Sequence, residues 1–317
     1  MPAALEKPVI APVFPVGFYH FHDDQSLNFQ MNRWVNWLGS GVEDMRKIAP
    51  KIKNYDDWKR EMLALAEEVL AQGCSLNAAF YLRSAEFFMT ADDPQKQPTY
   101  DRFVQMVHDH YGISKTDRHL IPYESGFLPA YRFCPDQPKG TLVWFGGFDA
   151  YIEELFPIMF LLRDAGYEVV AFEGPGQGAA LEKYGLPMTH QWEKPVKAVL
   201  DYFKLDHVTL IGLSLGGCLV LRAAAEEPRV ERVIADDILF NFQEVLLHTL
   251  PPLARRSLNV LLTVQAAGLV NWVFAQIIKR NLLVEWGVHQ GMHVMGVPTP
   301  YDFLRKTRQF ITADISQ

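Results

Sequence analysis

The sequence predicts an α/β fold in which a mostly parallel sheet carries helices on both faces and follows a helical domain. Three observations support this prediction. Residues 1–115 show helical periodicity alone, whereas the later strand patterns alternate with helices, as βαβ crossovers require. A glycine-flanked serine, Ser214, then joins a strand pattern directly to a helix pattern.

The N-terminal helical domain is assigned to residues 1–115 from the spacing of its apolar side chains. Leucine, methionine, valine and tryptophan recur every three or four residues between Asp24 and Leu38. Asn54 is expected to cap a second helix that ends near Gln72, and Ser75 to cap a third. The spacing predicts a fourth helix from Tyr100 to Tyr111.

The second domain is assigned to residues 116–317, where short β-rich runs are separated by turn residues. An antiparallel pair is predicted at residues 120–124 and 128–133. Parallel strands are predicted at 141–145, 167–172, 206–211 and 232–235, with helices at 151–165 and 191–203. A helical pattern from 241 to about 300 is expected of a lid inserted into this domain.

Ser214 lies at the centre of Gly212-Leu-Ser-Leu-Gly216, a G-x-S-x-G sequence. In such an elbow the serine stands at a strained corner between strand and helix, which lifts its Oγ clear of the sheet. The N–H of Leu215 then points to the place where a substrate oxyanion would form. We therefore predict that Ser214 is a nucleophile and Leu215 an oxyanion donor; the alternative is a merely structural Gly-Ser turn.

Two further glycine-rich loops bear on function. Gly146-Gly147-Phe148 leaves a predicted strand two crossovers before the elbow, where this architecture supplies a second oxyanion donor. The N–H of Phe148 is therefore expected to face that of Leu215. Glu173-Gly-Pro-Gly-Gln-Gly178 lacks the Lys-Ser/Thr of a P-loop and the spacing of a dinucleotide fingerprint, so no nucleotide binding is predicted.

Composition argues against several classes of function. A net charge of −7 provides no basic surface for nucleic acid. Cys74, Cys134 and Cys218 are far apart without metal-ligand spacing, which favours a reducing, cytoplasmic location. Residues 1–8 contain a charged pair and prolines where a signal peptide needs an apolar run, and polar residues interrupt the apolar segment 258–278. No membrane association is therefore predicted.

Potential metal ligands crowd together at His20 and His22. Histidines two apart share one face of an extended segment, so a metal site is one interpretation. No third and fourth ligands follow at a recognisable spacing. We therefore predict no metal site and interpret these histidines as packed beside an aromatic strip.

Four segments carry a family resemblance: Gly146-Gly-Phe-Asp-Ala-Tyr-Ile-Glu-Glu154, Ala171-Phe-Glu-Gly-Pro-Gly-Gln-Gly178, Trp192-Glu-Lys-Pro-Val196 and Gly212-Leu-Ser-Leu-Gly-Gly217. Together they resemble the α/β-hydrolases related to dihydroxypseudooxynicotine hydrolase, a group that includes fermentation-respiration-switch-type esterases and fungal polyketide-shortening hydrolases. The resemblance runs from about Tyr123 to the C-terminus, and the N-terminal helices are similar to the extra domain of such enzymes.

This resemblance implies an α/β-hydrolase fold and a cofactor-independent serine hydrolase. In the family pattern Ser214 is the nucleophile, and Phe148 and Leu215 form the oxyanion hole. Members of the group cleave esters or the C–C bond of β-dicarbonyl compounds.

The acid and histidine of the family's catalytic triad follow on loops after two further strands. Here the sequence after residues 232–235 is largely helical, so the C-terminal strands, the acid and the histidine are expected beyond Gln317. Asp237, directly after a predicted strand, is the alternative acid; the competing interpretation is a carboxylate that caps a lid helix.

His289 and His293 are four residues apart, a spacing that would place them on one face of a helix. Gly287 and Gly291 argue against a regular helix at this point. We therefore expect both histidines to be loop or lid contacts.

The function that the resemblance implies is hydrolysis of an ester or a C–C bond in a β-dicarbonyl compound, polyketide-like or an aromatic ketone, through an acyl-enzyme. Aromatic and methionine side chains of the lid suit a small, fairly apolar carbonyl compound as substrate. The alternatives are a catalytically inactive binding protein with a hydrolase fold and a transferase that uses the same acyl-enzyme. The helical domain and segment 258–278 leave room for a homodimer interface.

Overall fold

A six-stranded sheet organises the part of the chain that the computed structural model describes, residues 18–237, 239–248 and 250–315. Its strands are β1 (Arg118–Tyr123), β2 (Gly126–Phe133), β3 (Thr141–Phe145), β4 (Glu168–Phe172), β5 (Val208–Leu213) and β6 (Val230–Asp236). They lie in the order β1-β2-β4-β3-β5-β6. Only the β1–β2 and β2–β4 pairs are antiparallel within these residues, so the predicted mostly parallel sheet is confirmed.

Helices precede the sheet, as the apolar spacing predicts. They are α1 (Gln25–Leu38), α2 (Val42–Ile48), α3 (Tyr55–Ala71), α4 (Ser75–Phe87) and α5 (Lys96–Tyr111). Asp24 caps α1 by accepting from the N–H groups of Ser26 and Leu27, and Asn54 caps α3 by accepting from that of Asp57. These side chains satisfy amide groups that have no partner inside a helix.

The later helices alternate with the strands up to β6 and continue after it. They are α6 (Phe156–Asp164), α7 (Gly178–Glu182), α8 (Glu193–Phe203), α9 (Gly216–Glu226), α10 (Phe242–Leu247), α11 (Pro252–Thr263), α12 (Ala267–Ile278), α13 (Leu282–Met295) and α14 (Pro300–Thr307). Helix α7 was not predicted, because its five residues are too short for a periodic pattern.

Two apolar cores cover the two faces of the sheet. Because side chains alternate along a strand, Leu142 and Trp144 of β3 join one core, whereas Val143 and Phe145 join the other. The first core includes α1–α6, and the second includes α8 to α14. The N-terminal helices therefore join the core on one face of the sheet, and helices α10 to α14 join the core on the other.

Helix α13 contradicts the expectation that Gly287 and Gly291 would break regular structure. A Cβ added to Gly291 would lie 2.3 Å from the ring of Phe303, so the glycine allows α14 to pack directly against α13. Asn281 caps the helix, with its side chain 3.0 Å from the N–H of Val284. These contacts outweigh the roughly 1 kcal/mol that a glycine costs inside a helix.

The N-terminal segment considered as a signal peptide, residues 1–8, lies outside the described residues. Among the helices that are described, none combines the length and the apolar content that a membrane span requires.

Candidate active site

The elbow at Ser214 has the strained geometry that its sequence predicts. Ser214 lies between β5 and α9 with a φ of 59°, a left-handed conformation that is uncommon for residues other than glycine. Two backbone hydrogen bonds hold it there: its N–H donates to the carbonyl of Asp236 at 2.8 Å, and its carbonyl accepts from Gly217 at 2.8 Å. The corner is thus fixed from both sides, and the serine side chain is only partly buried.

Close backbone contacts explain the glycines around the elbow. A Cβ added to Gly212 would lie 2.0 Å from the carbonyl oxygen of Gly216. A Cβ added to Gly147, in the loop after β3, would lie 2.7 Å from the amide nitrogen of Leu215. The second contact brings the two glycine-rich segments together, so the loop after β3 borders the elbow.

Two backbone N–H groups beside Ser214 have no hydrogen-bond acceptor among the residues that the structure describes. Strands β3 and β5 are neighbours, with Phe145 opposite Gly212, so the loop and the elbow leave the same edge of the sheet. Within the described part of the chain, neither the N–H of Phe148 nor that of Leu215 donates a hydrogen bond. Unpaired N–H groups of this kind are what an oxyanion hole requires.

The side chain of Gln177 forms hydrogen bonds with the backbone of the loop after β3. Its buried side-chain amide donates to the carbonyl oxygens of Gly146 and Gly147 at 2.6 and 3.1 Å, and its own oxygen accepts from the N–H of Gly174 at 3.0 Å. A weaker contact from α13 joins Gln290 to the carbonyl of Phe148 at 3.4 Å. The role of Gln177 was not predicted from the sequence. The available signal was an amide side chain within the glycine-rich loop at 173–178.

Buried charges from the N-terminal helices reach the same loop. Arg83 of α4 donates to the carbonyl of Asp149 at 2.5 Å and to the carboxylate of Glu154 at 2.7 Å. Arg33 of α1 contacts the carboxylates of Glu154 and Asp149 at 2.7 and 3.2 Å. Glu86 of α4 accepts from Arg83 at 2.5 Å. We call Arg33, Arg83, Glu86, Asp149 and Glu154 the buried ion network.

The charges in the buried ion network stabilise one another. Burial alone would raise the pKa of Glu154, but the cationic Arg33 and Arg83 outweigh it and hold that pKa below its ordinary value. Lys96 and Arg83 likewise keep the pKa of Glu86 low despite its burial. These carboxylates are therefore ionised, and each has a cationic partner.

Aromatic rings form the apolar side of the site. The ring of Phe148 packs against Phe242, Trp286 and Phe303, with centroid distances of 5.3, 6.3 and 6.4 Å. The loop after β3 therefore contacts three helices that follow β6, namely α10, α13 and α14.

The hydroxyl of Ser214 has no hydrogen-bond partner among the described residues. His293 instead pairs with Glu182 at 2.9 Å, and His289 lines a separate cavity with Asp92. Asp237 is exposed directly after β6, and its carbonyl oxygen would lie 1.9 Å from a Cβ on Gly217. Helix α10 is capped by Asn241 and not by Asp237. The side-chain oxygen of Asn241 accepts a hydrogen bond from the N–H of Glu244 at 3.1 Å.

Of the two histidines considered as metal ligands, His22 is held by the backbone, whereas His20 is not packed as predicted. One ring nitrogen of His22 lies 2.8 Å from the carbonyl of Ile52, and the other accepts from the N–H of Asp24 at 2.9 Å. His20 is exposed and 3.3 Å from Asp23. No group of three residues able to hold a metal ion occurs in the described ranges.

Glu173, in the loop after β4, is an unusual buried carboxyl group. Its oxygens accept from the N–H of Ala179 at 2.6 Å and from that of Ile152 at 3.3 Å. Burial, together with the nearby carboxylate of Glu153, raises the pKa of Glu173 to about 8. Glu173 is therefore largely protonated at neutral pH.

Curated relatives are hydrolases of fungal origin. Hydrolase acrC of Aspergillus aculeatus is 30% identical over 290 residues, which cover 79% of this chain and 65% of acrC. The 20-hydroxy-prefusarin hydrolase FUS2 of Gibberella moniliformis is 29% identical over 316 residues, covering 87% of this chain and 74% of FUS2. The chain thus spans less than two thirds of acrC.

Solved structures show the same fold. The crystal structure of 2,6-dihydroxy-pseudo-oxynicotine hydrolase matches with a TM-score of 0.59 and 22% identity, over 89% of this chain and 76% of that one.

Residues 142–308, more than half of the chain, match the family model described as "Alpha/beta hydrolase family". The chain therefore belongs to the alpha/beta hydrolase family and is a hydrolase.

Proposed function

We propose that this hydrolase uses Ser214 as a nucleophile and cleaves an ester or a C–C bond of a β-dicarbonyl compound through an acyl-enzyme. The substrate class is a polyketide-like or aromatic ketone small molecule. The observation that carries the proposal is the strained Ser214 beside the two unpaired N–H groups of Phe148 and Leu215. The names of acrC and FUS2 support hydrolysis as the reaction type.

The proposed reaction begins with attack of Ser214 Oγ on the substrate carbonyl carbon. The carbonyl electron pair moves to oxygen, where the N–H groups of Phe148 and Leu215 would stabilise the negative charge. Collapse of this intermediate breaks the ester or C–C bond, and the leaving alkoxide or enolate takes up the proton lost by Ser214. Water then attacks the acyl-enzyme, which releases a carboxylic acid and restores the serine.

A base must accept the Ser214 proton, because an unactivated serine is a poor nucleophile at neutral pH. Asp237 is retained as the alternative acid of the proposed triad, since it follows β6 at the sheet edge where β5 carries Ser214. Among the described residues, no histidine forms a hydrogen bond with the Ser214 hydroxyl.

A fluorophosphonate probe tests the nucleophile. We expect the purified natural protein to be labelled at Ser214, and Ser214→Ala to lose both labelling and hydrolysis of a p-nitrophenyl ester while its circular dichroism is unchanged. Ser75→Ala, which alters an exposed serine at the start of α4, is the matched control and should keep both. Labelling that persists in Ser214→Ala would refute the assignment.

A binding protein without catalysis is the second candidate. It is favoured by the absence of any partner for the Ser214 hydroxyl within the described ranges. In that case the protein would bind carbonyl compounds, yet Ser214 would react with the probe no faster than free serine.

A further inference from the structure

The helices of the predicted lid and α14 line a partly open apolar cavity of about 460 Å³ that no step of the proposed reaction uses. Helices α10, α11, α12, α13 and α14 all contribute to its wall. This volume lies within the range of small-molecule sites, roughly 300 to 1,000 Å³. We call this space the lid cavity.

The side chains that line the lid cavity restrict which groups it can bind. Its described lining residues include no charged side chain, and only Ser257 and Trp286 supply polar side-chain atoms. A charged group placed there would lose its water without meeting a charge of opposite sign among the described lining residues. A hydrocarbon chain would lose nothing and would gain about 0.8 kcal/mol for each buried methylene, which is about fourfold in affinity.

Direct ring contacts connect the lid cavity to the candidate active site. Trp286 and Phe303 line the cavity, and the ring of Phe148 packs against both. Phe148 also carries one of the two N–H groups proposed for the oxyanion hole. One aromatic side chain therefore separates the cavity wall from the place where the reacting carbonyl would bind.

A second cavity, of about 830 Å³, has the opposite character. It lies between the N-terminal helices and α13, and charged residues that include Lys59, Asp92 and Glu285 line it. Trp286 borders both spaces. An apolar substrate tail would therefore be favoured in the lid cavity and disfavoured in the second one.

We propose that the lid cavity binds an uncharged hydrocarbon tail attached to the carbonyl group that Ser214 attacks. This inference rests on the proposed function and narrows its substrate class to carbonyl compounds with an extended alkyl or alkenyl chain. The tail enters beside Phe148 and runs between α11, α12 and α13.

Gly287 offers a way to fill the lid cavity without disturbing its wall. It lines the cavity, and a Cβ added there would meet no atom within 4 Å. Gly268, in α12, is a matched control because an added Cβ again meets nothing within 4 Å, yet it does not line the cavity. Both glycines are helical, so leucine at either position should favour the helix.

Binding of linear methyl ketones, from 2-butanone to 2-undecanone, tests the proposal without requiring turnover. The ketones would be measured by displacement of the neutral fluorophore N-phenyl-1-naphthylamine. We expect affinity to rise about fourfold per methylene until the cavity is full. Gly287→Leu should weaken 2-undecanone binding at least tenfold, Gly287→Ala should weaken it less, and Gly268→Leu should leave it unchanged.

Fluorophosphonate labelling of Ser214, measured in parallel, separates the two proposals. Chain-length-dependent binding that is lost in Gly287→Leu supports the lid cavity site even if Ser214 is not labelled, in which case only the proposed catalysis fails. If Ser214 is labelled but the affinity for methyl ketones does not depend on their chain length, the inference is overturned. An equal loss in Gly287→Leu and Gly268→Leu, with native circular dichroism in both, overturns it as well.

Discussion

At the scale of single residues, the site depends on backbone groups that side chains hold in place. Only proline would remove the N–H group of Phe148 or Leu215, and it would also change the backbone, but the orientation of the loop can be changed through a side chain. Gln177 fixes that orientation by binding two successive carbonyl oxygens, those of Gly146 and Gly147. A preorganised donor is effective because it does not have to reorient during the reaction.

We predict that Gln177→Leu lowers kcat about 10- to 100-fold and changes KM little, because the loss falls on stabilisation of the oxyanion. Steady-state hydrolysis of a p-nitrophenyl ester measures both constants. Gln290→Leu removes one longer bond to the same loop and should reduce kcat less. A Gln177→Leu enzyme with unchanged kcat would argue against a positioning role for Gln177.

Residue identities alone allowed the nucleophile to be predicted but not the groups that support it. The sequence Gly212-Leu-Ser-Leu-Gly216 describes a local turn, and the structure has that turn at Ser214. Gln177 lies 30 residues or more from the carbonyls that it binds, so no local pattern connects them. Its role appears only when β3 and β4 lie side by side.

At the scale of secondary-structure elements, the buried ion network joins α1 and α4 to the loop after β3. Arg83 and Glu154 are almost completely buried, so each has given up water for its partner. Removing one member of such a pair leaves a buried charge unpaired and typically costs 3–5 kcal/mol. Exposed pairs contribute at most about 1 kcal/mol.

We predict that Arg83→Met lowers the free energy of unfolding by about 3–5 kcal/mol. Arg102 of α5 forms an exposed ion pair with Glu67. Arg102→Met should therefore lower the free energy of unfolding by less than about 1 kcal/mol. Urea unfolding followed by tryptophan fluorescence measures both. Similar losses in the two variants would mean that burial does not decide the contribution of these arginines.

Element types were predicted better than element packing. The strand pair around Gly126 and the parallel strands follow from alternation and turn residues, and the structure confirms both. Helix α13 was wrongly expected to be irregular, because propensity reports the cost of Gly291 and not the close approach of Phe303. Such contacts between elements are set by tertiary structure.

At the scale of the whole molecule, the stability of the protein should depend on pH through Glu173. Burial and the carboxylate of Glu153 raise its pKa from the ordinary 4.5 to about 8. Between these two values the folded protein binds the proton more tightly than the unfolded chain does. The stabilisation is therefore complete below pH 4.5 and is lost as the pH rises through about 8.

We predict that the free energy of unfolding falls between pH 5.5 and 8 with a contribution from Glu173 of up to about 1.4 kcal/mol per pH unit, the value for one proton. Glu173→Gln, which cannot ionise, should flatten this slope. Glu68→Gln, an exposed control, should leave the slope unchanged. Urea unfolding across this pH range measures all three proteins, and an undiminished slope in Glu173→Gln would contradict the prediction.

The motifs also predicted the family, and the match over residues 142–308 confirms it. The division at residue 115 stays an interpretation of helical spacing. Apolar spacing could not predict that the N-terminal helices and β2–β4 share one core, because their contacts are far apart in sequence.

The buried ion network has a consequence for protein engineering. A chimera joined between α5 and β1 would take Arg33 and Arg83 from one parent and Asp149 and Glu154 from another. Unless both parents supply matching charges, such an exchange would place unpaired ions beside the loop that carries Phe148. The helical segment and this loop must therefore be exchanged together, even though more than sixty residues separate Arg83 from Asp149 and Glu154.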